Sequence, residues 1–130
     1  MRIVSELADH DMADLYRLAE IVVSVPASDG GASTIVEALA RGRQIVASDL
    51  ASVREWLADL DPGALVPVGD AAATARTIER AIARSPAERE EFARLGCTAV
   101  EQMGDEQRAL LEMERIHLVL VGRRPAREAR

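Results

Sequence analysis

The order of short apolar runs and helical periods between residues 21 and 68 restricts the fold of this chain more than any other feature. Ile21-Val22-Val23-Ser24-Val25-Pro26 is short, β-branched and almost continuously apolar, the pattern of a parallel strand buried on both faces. A turn-forming stretch follows, Ala27-Ser28-Asp29-Gly30-Gly31-Ala32. Beyond it Ile35, Val36, Leu39 and Ala40 share one helical face, and Gly42 closes the end. The order then repeats, with Gln44-Ile45-Val46-Ala47-Ser48 as a second buried strand, a helix around Ser52 to Leu60, and a third short strand at Ala64 to Val68. Strands that alternate with helices pair in parallel through right-handed crossovers. The expected fold is therefore α/β, a parallel sheet of three or four strands flanked by helices, with Ile21–Val25 beside Ile45–Ser48.

Upstream, Asp9 is placed to cap a helix in which Met12, Leu15, Tyr16 and Ala19 recur at helical spacing, and Arg2 to Ser5 reads as an earlier strand. From Ala71 the pattern is helical, broken near Ser85-Pro86 and again near Gly104-Asp105. Residues 1–122 form one domain-sized unit, and residues 123–130 a polar, Arg-rich tail. A chain of 130 residues can bury a core without disulfides or metals. With aromatics at 2%, Ala, Val, Leu and Ile must fill that core.

The charge pattern excludes several kinds of chemistry. A net charge of −6 gives no broad basic face for nucleic acid. All 16 basic residues are Arg, so neither a Schiff-base lysine nor a phosphate-loop lysine exists. The single cysteine, Cys97, forms no internal disulfide or multi-cysteine metal site and suits a reducing compartment, which predicts the cytoplasm. No apolar run approaches the roughly 20 residues of a membrane span, and the start shows no signal-peptide core. Arg123, Arg124, Arg127 and Arg130 can touch anionic lipid, but Glu128 interrupts them and a solvated tail is the simpler account, so membrane contact is peripheral at most. His10, His117 and Cys97 stand alone and are assigned neither chemistry nor a metal.

In open α/β sheets, ligands sit beyond the carboxyl ends of the strands, which here carry Ser28, Asp29, Gly30, Gly31 and Ser33. Two glycines let backbone approach a ligand, and the start of the next helix offers free N–H groups and a positive dipole end to a diphosphate. Asp29 and Glu37 can face the same crevice as an acidic-x7-Glu pair.

The run Ser28-Asp29-Gly30-Gly31-Ala32-Ser33-Thr34-Ile35-Val36-Glu37-Ala38-Leu39-Ala40-Arg41-Gly42 resembles the Glu-x7-Glu segment of the bacterial group-one, retaining glycosyltransferases of the GT-B class. The likeness continues through Leu15-Tyr16, Ala19-Glu20-Ile21, Ile45-Val46-Ala47-Ser48-Asp49, Arg54-Glu55-Trp56, Gly63-Ala64-Leu65-Val66 and Gly69-Asp70. It covers the second half of that family's C-terminal, donor-binding domain, a truncated Rossmann-like half. The resemblance implies a nucleotide diphosphate sugar as donor substrate, with no cofactor. It places Glu37 on the donor ribose, Asp29, one methylene shorter than the usual Glu, at the sugar near the reacting carbon, and Gly30, Gly31 and Ser33 at the diphosphate. It also implies that an N-terminal acceptor domain, and an Arg and a Lys for the diphosphate, come from elsewhere, so this chain alone is expected to be inactive.

Each residue has a plainer reading. Glu37 can close a capping box with Thr34, Asp29 can be ordinary turn chemistry, the glycines can serve a tight turn that needs positive φ, and Glu55 can be a surface charge. The whole chain can also be a non-catalytic remnant that acts as an interaction or regulatory module, self-associating or binding a partner through an incomplete sheet.

Overall fold

The computed structural model describes residues 9–103 together with Met113 and Ile116. The expected strand at Arg2 to Ser5, the break near Gly104-Asp105 and the Arg-rich tail lie outside these residues. Within residues 9–103, five helices, α1 (Asp9–Leu18), α2 (Ser33–Ala40), α3 (Ala51–Leu57), α4 (Ala71–Ala83) and α5 (Pro86–Met103), surround three strands, β1 (Ile21–Ser24), β2 (Gln44–Ser48) and β3 (Leu65–Val66). The strands are parallel in the order β1-β2-β3. Ile21 pairs with Gln44 and Ser24 with Ala47, as the apolar runs predict.

Each strand is short because punctuation follows it. Pro26 and the Asp-Gly-Gly turn end β1. A 3-10 turn at Pro62–Ala64 leads into β3, which Pro67 and Gly69 (φ +78°) terminate. The third strand is therefore narrower than the Ala64 to Val68 expected. Asp70 then caps α4, its Oδ1 accepting the Ala73 N–H at 2.8 Å.

Alternation along the strands divides the core in two. On one face Ile45 and Ala47 pack with Ile35, Ala38 and Leu39 of α2, Val53 and Leu57 of α3, and Phe92 of α5. On the other, Val46 and Val66 meet Ala81 of α4, with Ile21 and Ile78 beside them. All five residues of β2 are buried, as a central strand between two layers requires. β1 departs from expectation. Among the described residues it is an edge strand, and α4 covers only the base of its outer face, so Val23, and Val25 just beyond the strand, remain 44% exposed. Within α2, Ala38 is buried where Ala40 was expected, and Ala40 is exposed.

Candidate functional site

The segment between β1 and α2 is shaped by Asp29. Its Oδ1 accepts the backbone N–H groups of Gly31 and Ala32, both at 3.0 Å, which folds the chain back over the carboxylate in an Asx-type turn. Those two bonds hold the Asp29 carboxyl below its ordinary value, because both donate to the charged form. The turn role expected of Asp29 is thus realised through one oxygen, which leaves the second oxygen of a half-exposed carboxylate outside these bonds. Ser52 of α3 donates its hydroxyl to the Asp29 carbonyl at 3.0 Å and ties the segment to the next crossover.

The glycines behave differently from expectation. Neither Gly30 nor Gly31 has positive φ; the left-handed residue is Ala32, at φ 51°. A Cβ built on Gly30 or Gly31 would meet nothing within 4 Å. Neither turn geometry nor internal packing therefore demands glycine at these two positions. What they provide is bare backbone facing open space.

The capping box is also absent. The N-cap of α2 is Ala32, with no side-chain cap bond, and Ser33 is the first helical residue. Thr34 lies inside the helix, two residues past the cap position, because the left-handed Ala32 starts the helix early. Glu37 is consequently freed from that duty and is exposed in the second turn of α2. Burial of Tyr16 in α1, and then the charge of Glu37, raise the Tyr16 phenol above its ordinary value. Sequence spacing assigned Tyr16 only to a core face. The overlooked signal is that a buried tyrosine still needs a partner for its polar tip.

An ion pair stands at the carboxyl end of β2. Asp49 receives both Nε and Nη2 of Arg54 from α3, the latter at 2.7 Å, and this lowers the Asp49 carboxyl. The fork-to-fork geometry fixes the start of α3. Glu55, beside it, is exposed. Among the described residues no group of His, Cys, Asp and Glu is arranged to hold a metal, and no helix is long and apolar enough to cross a membrane.

Over residues 1–96 the sequence matches the family described as glycosyl transferases group 1. The chain belongs to this family. Two phosphatidyl-myo-inositol mannosyltransferases are similar to it. The protein from Mycobacterium leprae (strain TN) is 35% identical over 105 residues, which cover 78% of this chain and 27% of the relative. The protein from Mycolicibacterium smegmatis is 40% identical over 74 residues, covering 55% of this chain and 19% of the relative. The chain thus spans about a quarter of the length of these curated relatives. Within a group 1 glycosyltransferase the three parallel strands, the Asp29 turn and α2 form one contiguous part of the matched region.

Proposed function

We propose that this chain supplies the second half of the donor-binding domain of a retaining GT-B glycosyltransferase. The complete enzyme moves a hexose from a nucleotide diphosphate sugar to a hydroxyl acceptor in polysaccharide or glycoconjugate synthesis. The bond from the anomeric carbon to the diphosphate breaks, and a bond to the acceptor oxygen forms with the anomeric configuration kept. The names of the two relatives fit a hexosyl donor.

One observation carries the assignment of the site: Glu37 makes no helix cap and presents an exposed carboxylate from α2, whose start follows the carboxyl end of β1. A carboxylate accepts two vicinal hydroxyl donors at once, which is what ribose offers. Asp29, held ionised by its two backbone bonds, is suited to positive charge developing at the sugar carbon. Gly30, Gly31 and Ser33 bring backbone and the amino end of α2 to the diphosphate. The chain contains no lysine, so further charge on the leaving diphosphate is neutralised by the rest of the enzyme, and the chain alone transfers sugar poorly or not at all.

The test is binding of UDP, GDP and ADP to the chain, each compared with its 2′,3′-dideoxy analogue by ligand-observed NMR. At least one ribonucleotide should bind about tenfold or more better than its analogue, the scale of hydrogen bonds to a charged acceptor. Glu37→Ala should abolish that preference with the circular dichroism unchanged. In a complete transferase carrying this segment, Glu37→Ala should raise the donor KM more than it lowers kcat, whereas Asp29→Ala should depress kcat by about a hundredfold. A ribose preference that survives Glu37→Ala removes the assignment.

A second reading is a non-catalytic module that self-associates or binds a partner. The exposed Val23 on β1, an edge strand among the described residues, and Val25 just beyond it favour this reading.

A further inference from the structure

Asp29 stands on a segment with little support of its own. From Pro26 to Gly31 no residue is buried, and the chain enters the core only at Ala32. The bonds from the Gly31 and Ala32 amides to Asp29 Oδ1 make the turn a unit, in which the carboxylate moves together with its own backbone. They do not fix that unit relative to the sheet. Between its covalent ends in β1 and α2, one hydrogen bond among the described residues joins this segment to another element. It runs from the Ser52 hydroxyl to the Asp29 carbonyl oxygen at 3.0 Å, across 23 positions of sequence.

The donor of that bond is firmly held. Ser52 is half-buried and directly precedes Val53, which α3 buries in the main core cluster together with Leu57. The start of α3 is fixed as well, because Arg54 grips the Asp49 carboxylate and the Asp49 N–H donates to the Val66 carbonyl oxygen at 2.8 Å. A helical serine ordinarily turns its hydroxyl to solvent or to the carbonyl four residues back. Ser52 instead reaches outside its own helix, and its single hydroxyl proton goes to the Asp29 turn.

We infer that Ser52 is a positioning residue for Asp29: its hydroxyl, carried by the core-packed α3, holds the Asp29 peptide so that the carboxylate oxygen outside the turn faces the donor sugar. This rests on the reading of Asp29 at the reacting carbon, and it gives α3 a task in the site beyond closing the crossover. A shift of about 1 Å matters to a group that stabilises developing charge, since its contribution depends on geometry set before the reaction.

Ser52→Ala isolates this role, because alanine is the better helix former and water can replace the hydroxyl at a half-exposed turn, so the melting temperature should stay near that of the wild type. In the chain itself the readouts are the Asp29 carboxyl pKa by NMR and the hydrogen exchange of the Gly31 and Ala32 amides. Those two amides hold the carboxyl below its ordinary value. Without the Ser52 bond the carboxyl pKa should rise, and both amides should exchange about three- to tenfold faster, the scale of one hydrogen bond. Ser52→Thr, which keeps the hydroxyl, should restore both. In a complete transferase carrying this segment, Ser52→Ala should lower kcat about three- to tenfold at unchanged donor KM, and should cost nothing further once Asp29 is Ala. An Asp29 pKa and amide exchange indifferent to Ser52→Ala overturn the inference and leave the assignment of Asp29 standing. A kcat that falls equally with Asp29 present or replaced also overturns it, since that is the mark of a general loosening. If Asp29→Ala itself retains full kcat, the reading of Asp29 fails and the positioning role fails with it, whatever Ser52→Ala does to the turn.

Discussion

At the scale of single residues, the charged group most committed to the fold is Arg84. It ends α4, pairs with Asp61, reaches the Gln44 side chain at 3.5 Å and lies 5.5 Å from the centre of the Phe92 ring. The side chains of Arg84 and Asp61 are only 26% and 13% exposed. Neither charge is well hydrated, so each depends on the other. Arg84→Ala should therefore cost about 3 kcal/mol in urea unfolding, because Asp61 is left buried without its partner. The double variant Arg84→Met, Asp61→Leu should recover most of that loss. An Arg84→Ala protein as stable as the wild type would show that the pair is effectively solvated. Nothing in the sequence marks this pair, since its members are 23 residues apart and meet only when α4 returns over the sheet. The placement of Asp29 in a turn and of Glu37 on the following helix was legible because both are local. The duty of Asp29 as a turn anchor was legible too, whereas the missing capping box depends on one backbone angle at Ala32.

At the scale of elements, α2 and α5 approach each other over residues that barely have side chains. A Cβ on Gly96 would lie 2.9 Å from Leu39 Cδ2, and one on Gly42 would lie 2.8 Å from the Ala93 Cβ. Gly42 also has φ +64°, closing α2 in the left-handed conformation glycine tolerates. Gly96→Val should push α5 off α2 and destabilise the chain by about 1–3 kcal/mol. Thermal unfolding measures this, and a melting temperature equal to that of the wild type would mean that the seam is not close-packed. The periodicities at residues 21–83 foretold the element order and the parallel pairing of β1 with β2, because strand and helix periods are intrinsic to the chain. An incomplete sheet was expected, but not that β1 would be the strand with the open face, since its apolar run was read as covered on both sides. An apolar run reads the same whether a neighbouring layer covers it or not, and the layer over Val23 and Val25 is a tertiary matter. The role of Gly42 as a helix terminator was legible; that of Gly96, in the middle of a helix, became visible only against Leu39.

At the scale of the whole molecule, the sheet is unequal at its two sides. Among the described residues β1 is an edge whose outer face is apolar, and edge strands of this kind invite pairing. Sedimentation of the isolated chain should show association that rises with concentration, and Val23→Lys with Val25→Lys should reduce it by placing charge on the exposed face. A monomer at all concentrations would indicate that the edge is protected. The seam between α2 and α5 has a bearing on how the molecule comes into being. Leu39 and Cys97, whose thiol donates to the Leu39 carbonyl at 3.5 Å, are separated by 58 positions. The turn at Asp29 leaves the ribosome before α5, so the helix that follows it meets this part of its support only after residues 92–97 have been made. The segment proposed to meet the donor is thus made before the helix that packs against it, and a chain stopped short of residue 92 would leave one side of α2 bare.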